Sequence, residues 1–342
     1  MRAIDRITRA IDALKRGEMV IMIDDEDREN EGDLVYAGAF SSPEHINFMA
    51  THARGLICVA LSSQIATNLE LNPMVGSNTS AHETAFTVSV DAATASTGIS
   101  AKERDDTVKI LSSPVAQAND LVRPGHIFPL IAKDGGVLIR TGHTEGSVDL
   151  CRLAGLRESA VICEIVKDDG EMARRDDLDI FAQKHNLETV FISDIVEYRL
   201  ANERLVSKSC SEEIEFFGTK ATKHTFLDHD KKEHIAIVFH SISHTTNVRV
   251  HNVLSDLELL LNQNKYKNLI ASIEYLKQNS GVIIFINKPI HHDKAEIKEY
   301  GIGAQILKDL GVKKMNLLGS SKSAEFVGLG GFGLEIEEMI EL

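Results

Sequence analysis

Apolar residues at Ile4, Ile7, Ile11 and Leu14 recur at three- and four-residue steps, which predicts an amphipathic first helix closed by Gly17. Its polar face carries Arg2, Arg6, Arg9, Lys15 and Arg16. Two short apolar runs follow, Met19–Ile23 and Leu34–Ala37, each reading as a strand bounded by turn residues. Ser42-Pro43-Glu44 is an N-cap with proline in the first turn, so a helix is expected from there to about Arg54. Leu56–Leu61 reads as a buried strand. Asn72–Ala85 is polar and irregular, and Phe86–Val90 alternates like a strand. Ser100 with Glu103 forms a capping box that opens a helix to about Leu111. Val137–Ile139 leads, as a strand, into Arg140-Thr141-Gly142-His143-Thr144-Glu145-Gly146 and a helix over Ser147–Ala154. Ala160–Val166 is an apolar strand interrupted by Glu164. A helix over about Asp176–His185 and a strand over Thr189–Ile192 follow.

Beyond this point the texture changes. Ala201–Glu213 is polar and reads as a linker, and the chain then becomes richer in Lys, Asn and His. Ile235–Phe239 and Gly281–Ile286 are expected strands; Leu254–Leu261 and Ile302–Leu310 are expected helices. A chain of 342 residues accommodates two domains that each bury a core, and strands mixed with helices in both halves indicate an α/β class. The expected division is 1–204, a linker over 205–213, and a second, smaller domain over 214–342.

Composition narrows the partners. The net charge of −14 disfavours nucleic acid and anionic membranes as partners of the whole surface, and no apolar run is long enough to span a bilayer. A small phosphorylated metabolite remains compatible, because a local Arg or a helix start can hold it. The four cysteines, Cys58, Cys151, Cys163 and Cys210, include no C-x-x-C pair, so neither a disulfide framework nor a structural zinc is expected. Reduced thiols and an N-terminus without an apolar signal core fit a cytoplasmic protein.

The candidate chemistry centres on Asp24-Asp25-Glu26-Asp27-Arg28-Glu29-Asn30-Glu31-Gly32-Asp33. Seven carboxylates between two strands repel one another unless a positive group enters. Arg28 offsets one, and a hard divalent cation suits the others; a merely solvated acidic loop is the plainer reading. A calcium loop matches Asp27, Glu29, Glu31 and Gly32 but fails at Gly38, where a bidentate Glu is required. In Arg123-Pro124-Gly125-His126-Ile127-Phe128-Pro129, two prolines and a glycine fix the backbone around one imidazole. The turn holding Arg140 and His143 offers free backbone N–H groups as an anion cradle and one nitrogen ligand. Glu164 inside an apolar strand is costly unless it faces a cleft or is bound.

The set DDEDRENEGD, RPGHIFP, RTGHTEGSVDL and ICEIVKDDGEMAR resembles the 3,4-dihydroxy-2-butanone 4-phosphate synthase family of riboflavin biosynthesis, over roughly residues 1–204. The resemblance implies a three-layer mixed-sheet domain that forms a homodimer, with sites near the subunit interface. It implies conversion of ribulose 5-phosphate to the four-carbon dihydroxybutanone phosphate and formate, with two Mg²⁺ (or Mn²⁺) per site and no organic cofactor. Carried onto this sequence, Glu29 and His143 ligate the metal. Arg28, Glu31 and Asp33 surround the sugar; Arg140, Thr141, Gly142 and Thr144 hold the phosphate, helped by Arg104 and Thr107. His126 and Glu164 are implied as catalytic, and Cys58 lines the pocket. The reaction needs a first proton abstraction, for which Glu31 or Asp33 is the expected base, and later proton transfers assigned to His126 with Glu164.

The second half is similar to GTP cyclohydrolase II at Val248-Arg249-Val250-His251, Glu299–Val312 and Val327-Gly328-Leu329. Its functional motifs are missing. Asn252-Val253-Leu254 stands where the first zinc cysteine is expected, Tyr266–Ile273 lacks the cysteine pair, and Asn287–Asp293 replaces the Glu-Gly-Arg-Gly stretch. A domain inactive toward GTP, without zinc, is therefore expected. The alternatives are a bifunctional enzyme, or a dimerisation or regulatory module. His240, His244 and His251 straddle a strand end and make a poor substitute ligand set. Gly328-Leu329-Gly330-Gly331-Phe332-Gly333 matches a dinucleotide string, but too few residues follow for a βαβ unit.

Overall fold

The computed structural model describes residues 2–26, 28–82, 84–228, 231–287, 297–319 and 334–342, the side chains of 297–300 excepted. Asp27, the Gly328–Gly333 string and most of Asn287–Asp293 lie outside the described residues. The chain divides into two compact units, Met1–Tyr198 and Arg199–Leu342.

In the first unit the chain runs α1 (Ala3–Lys15), β1 (Val20–Ile23), β2 (Gly32–Ala37), α2 (Pro43–Phe48), β3 (Cys58–Leu61), α3 (Ser63–Asn68) and β4 (Val90–Ala92). It continues through α4 (Ala101–Ser112), β5 (Leu121–Ile131), α5 (His143–Leu153), β6 (Ser159–Glu164), α6 (Arg175–His185), β7 (Glu188–Phe191) and α7 (Ile192–Asn202), within which the division between units falls. The sheet order is β4-β5-β3-β6-β2-β1-β7. It is mixed: β3–β5 and β1–β7 are parallel, and the other pairs antiparallel.

Every residue of β1, β2 and β3 is buried, because helices cover both faces. Ile21, Ile23, Leu34, Tyr36, Val59 and Val161 share one core with Ile46 and Met49 of the second helical stretch, Val108 and Leu111 of α4, and Leu178 of α6. Helix α5 packs on the other face, against β1, β2, β3 and β6, with α1 beside it. The Ser42 hydroxyl accepts the His45 N–H and Pro43 opens the turn, as the sequence predicts, and the helix continues as a π-turn over Met49–Ala53 to a left-handed Arg54.

Two expected elements differ. Phe86–Val90 is not a continuous strand; Phe86 and Thr87 form single bridges, and strand structure begins at Val90. Thr87 donates to the Pro129 carbonyl, and Pro129 has no N–H to return, which breaks the ladder. Val137–Ile139 is not a strand either: Gly136–Leu138 is one turn of 3-10 helix, and α5 begins at His143, four residues before the expected start. A three-residue apolar run does not separate strand from turn by periodicity.

The second unit adds β8 (Val206–Phe216), β9 (Thr219–Asp228), β10 (Glu233–Phe239), β11 (Thr245–Asn252), α8 (Asp256–Leu261), α9 (Gln263–Asn279), β12 (Gly281–Ile286), α10 (Ile297–Asp309), β13 (Lys314–Leu318) and β14 (Glu335–Ile340). Among the described residues they form a sheet ordered β14-β13-β11-β12-β10-β9-β8. Its core joins Ile237, Phe239 and Ile283 to Leu269, Ile273 and Leu276 of α9. The expected linker at 205–213 is instead mostly the edge strand β8, paired with β9 along its length. Its residues from Ser207 to Glu213 are exposed, so no apolar alternation marked it.

Candidate active site

The acidic loop folds around one of its own carboxylates. Asp24 is buried and accepts the N–H groups of Glu29 (3.1 Å) and Glu31 (2.8 Å) together with Arg28 Nη1 (2.8 Å). The Asp24 N–H donates to the Glu31 carbonyl (3.2 Å). A self-repelling run is thus stabilised by turning one acid inward onto amide dipoles and a guanidinium. Arg28 Nη1 also reaches Glu29 Oε2 at 2.6 Å.

Strand register gathers the next residues. Asp33 lies opposite Glu164 on β2 and β6, and Cys58 lies opposite Ile162 on β3 and β6, so these four side chains share one face of the sheet. The first turn of α5 stands over that face. His143, Thr144, Asp33, Glu164, Cys58, Arg28, Glu29, Glu31 and Arg140 line a cavity of about 160 Å³. The Glu164 carboxylate is aimed there by the Leu56 N–H, 2.8 Å from Oε2.

At the centre, His143 Nδ1 lies 3.6 Å from Glu29 Oε2, and Nε2 lies 4.0 Å from Asp33 Oδ1. Both His143 Nε2 and Asp33 Oδ1 are buried without a hydrogen-bond partner. Asp24, Glu29 and His143 are, among the described residues, the group of three whose ligand atoms fall within 4.8 Å of one another. Asp24 is already committed to the loop, so Glu29 and His143 are the available pair. Two orphaned polar atoms beside a carboxylate fit a hydrated divalent cation, which satisfies oxygen and nitrogen ligands at once.

The electrostatics follow from crowding. Burial lowers an imidazole, but Asp33 and Glu29 outweigh it and hold His143 up at about 9. Burial raises Glu29, yet His143 and Arg28 outweigh it and bring its carboxyl down to about 2. Asp33 moves the opposite way: burial and the neighbouring Glu164, Glu29 and Glu31 raise it against the pull of His143. Burial raises Glu31 as well. Burial, with Glu164 and Asp33 nearby, pushes the Cys58 thiol well up, so it lines the cavity as a neutral group rather than a thiolate.

Arg140 stands at the cavity edge. Its Nη1 donates to the buried Glu145 at 2.5 Å, while Nε and Nη2 donate to the His82 carbonyl (3.1 and 2.9 Å) and Nη2 to Thr84 Oγ1 (3.2 Å). Gly142 caps α5, where any side chain would collide with this guanidinium. Thr141 lies beside it, partly exposed.

Neither Thr141 nor Gly142 lines the cavity, and three further expected residues, His126, Thr107 and Arg104, do not line it either. His126 lies on β5 with its ring partly exposed; Asp91 Oδ1 accepts its N–H (2.9 Å), and Oδ2 faces Nδ1 at 2.8 Å. Thr107 is fully buried, accepting the Ala92 N–H and donating to the Glu103 carbonyl, both at 2.9 Å. Its hydroxyl therefore ties α4 to β4. Arg104, on the same helix, has a buried Nε without a partner. The sequence reading passed over Asp24, Glu145 and Arg174. Asp24 was visible as an acid in the loop and Glu145 as one five residues after Arg140, whereas Arg174 is marked only by contacts distant in sequence.

In the second unit, Arg249 Nη1 donates to the Leu318 carbonyl (2.9 Å), and His251 packs edge-on against Phe285. His240 Nε2 lies 3.0 Å from the Lys277 carbonyl.

A mixed α/β domain that gathers carboxylates, an imidazole and an arginine at one end of its sheet is an enzyme for a small polar substrate. Residues 8–198 match the family model described as 3,4-dihydroxy-2-butanone 4-phosphate synthase, and residues 206–292 and 289–341 match that described as GTP cyclohydrolase II. The chain belongs to the 3,4-dihydroxy-2-butanone 4-phosphate synthase family, lyases of riboflavin biosynthesis. It is 56% identical over 98% of its length to the protein of that name from Sulfurospirillum multivorans, covering 94% of the relative. The two-domain synthase RibBX of A. baumannii superposes with a TM-score of 0.79 at 38% identity, over 98% of this chain and 99% of that one. A synthase solved in complex with two magnesium ions matches 58% of this chain and 97% of its own, with a TM-score of 0.56 and 42% identity. No helix among the described residues is long and apolar enough to cross a membrane.

Proposed function

We propose that residues 1–204 convert D-ribulose 5-phosphate to L-3,4-dihydroxy-2-butanone 4-phosphate and formate, and that the second unit, from β8 onward, is a non-catalytic domain. The observation that carries this reading is the meeting of Glu29 and His143, 3.6 Å apart in a cavity shared with Asp33 and Glu164.

Glu29 and His143 would hold the divalent cations, Mg²⁺ or Mn²⁺, two per site. Bound there, they supply Lewis acidity toward the sugar oxygens. Arg140 and the N–H groups of His143 and Thr144 in the first turn of α5 bind the phosphate, and Thr141 and Gly142 border it. Arg28 neutralises the acidic wall so that an anionic substrate is not repelled. The carboxylate of Asp33 or Glu31, each made more basic by burial, takes the first proton. Glu164, fixed by the Leu56 N–H, serves a later transfer. His126 serves with it from a second copy: Asp91 holds its Nδ1 and leaves Nε2 pointing away as the working atom. The active species is accordingly a homodimer, and the protein works in the cytoplasm.

The second domain would hydrolyse no GTP and hold no zinc, because Asn252-Val253-Leu254 and Tyr266–Ile273 supply no cysteine. The test is formate release by the full chain with ribulose 5-phosphate, with and without chelator, and with GTP in parallel. Chelator-sensitive formate from the sugar phosphate alone is expected. Formate from GTP overturns the reading of the second domain, and none from ribulose 5-phosphate overturns that of the first.

A further inference from the structure

The acidic loop is also held from outside, by a side chain at the start of a later helix. Arg174, at the N-cap of α6, sends Nη1 to the carbonyls of Glu29 (2.7 Å) and Asn30 (2.6 Å), with Glu31 Oε1 3.7 Å away. In extended chain, successive carbonyls point opposite ways. Here Asn30 adopts a left-handed φ of 54°, which turns both toward one cation. The base of the clamp is itself fixed: Asp177 Oδ2 accepts the Arg174 N–H at 3.0 Å. Helix α6 can lie this close because Gly32 ends the loop. A Cβ there would stand 2.6 Å from the Leu178 side chain.

We propose that Arg174 is a positioning residue for cation binding: it fixes the Glu29–Asn30 peptide units, and thereby the direction in which Glu29 projects toward His143. The inference rests on the reading of Glu29 and His143 as the cation-holding pair. Arg28 and Asp24 bind the loop to itself; Arg174 binds it to the domain. Without Arg174 the loop keeps its internal hydrogen bonds but loses its registration against α5, so Glu29 samples orientations that do not face the imidazole.

The test is Mn²⁺ binding to the full chain without substrate, followed by electron paramagnetic resonance, for wild type, Arg174→Met, Arg174→Lys and Glu29→Gln. Removing a side chain that orients a ligand costs about ten- to a hundredfold in metal affinity. Arg174→Met is expected to lose at least roughly tenfold, and Arg174→Lys, which keeps donors to both carbonyls, to regain part of it. The Mn²⁺ concentration for half-maximal formate release should rise in step, while kcat at saturating Mn²⁺ changes less. A general loss of structure would not yield that split. Wild-type Mn²⁺ affinity in Arg174→Met overturns the clamp. Absence of Mn²⁺ binding in wild type, or full binding in Glu29→Gln, overturns the underlying cation reading instead. Should Arg174→Met fail to fold by circular dichroism, Arg174→Gln is read in its place with the same outcomes.

Discussion

Raising the pH of the cation-free protein should uncouple His143 from its carboxylates, and the effect is large enough to measure. His143 is buried, with only 8% of its side chain exposed, between Glu29 and Asp33. Its folded pKa lies above the ordinary 6.5, at about 9. A group raised in this way contributes stability in full below pH 6.5 and loses it as the pH climbs through 9. The difference is worth about 3 kcal/mol at roughly 1.4 kcal/mol per tenfold. For a domain of this size that is on the order of 6–12 °C in melting temperature. A melting series with chelator from pH 6.5 to 9.5, wild type against His143→Gln, isolates it. The wild type should lose stability across that interval, and the variant, in which the buried Asp33 carboxyl still titrates, should lose less.

The same protonation opposes metal binding, since an imidazole nitrogen must be neutral to act as a ligand. Mg²⁺ affinity should therefore strengthen close to tenfold per pH unit between pH 7 and 9. Titration calorimetry at pH 7.5 in two buffers of different ionisation enthalpy should show about one proton released per site. A flat melting profile together with pH-independent Mg²⁺ affinity would refute the reasoning, because it would mean that His143 carries no proton beside Glu29.

Two further outcomes are expected. Gly32→Ala forces a Cβ into Leu178 at 2.6 Å, and overpacking of this kind costs about 1–3 kcal/mol; an unchanged urea midpoint would show that α6 is not pressed on the loop. Asp91→Asn removes the carboxylate that fixes His126 Nδ1 at 2.8 Å, so kcat should fall at least roughly tenfold with KM nearly constant, and a wild-type kcat would detach His126 from the proposed proton transfers.

Much of the architecture was legible because its signals are local. The period of α1, the proline-opened turn at Ser42 and the capping box at Ser100 are each contained within a few residues, and the structure shows α1, α2 and α4 there. The residues that line the cavity stood out for a related reason: Asp33 closes the acidic stretch, and Glu164 interrupts an otherwise apolar strand, a costly position that advertises itself. What escaped depends on distant partners. Whether Asp24 faces water or folds the loop is decided by the amides of Glu29 and Glu31 turning toward it. Where the Thr107 hydroxyl of α4 turns is decided by Ala92 on β4, whose N–H it accepts. Edge strand β8 was missed because strand periodicity records burial on one face, and β8 has little.

The second unit separates what a fold requires from what a reaction requires. A sheet needs apolar residues at the positions its helices cover, and Ile237, Phe239 and Ile283 meet Leu269, Ile273 and Leu276 without any polar group of special chemistry. Activation of water at a zinc needs particular ligands at particular places, and loss of the thiolates removes it at no cost to that core. The side chains just before Asn252 on β11 make packing and backbone contacts. Arg249 donates to the Leu318 carbonyl, while burial, helped by Arg249 and Lys265, pushes His251 down to about 4, leaving a neutral ring against Phe285. Matching a family model thus reports the first requirement and is silent on the second. Whether the second unit acts on GTP therefore turns on the side chains at the ligand positions, Asn252-Val253-Leu254 and Tyr266–Ile273, and on nothing in the fold.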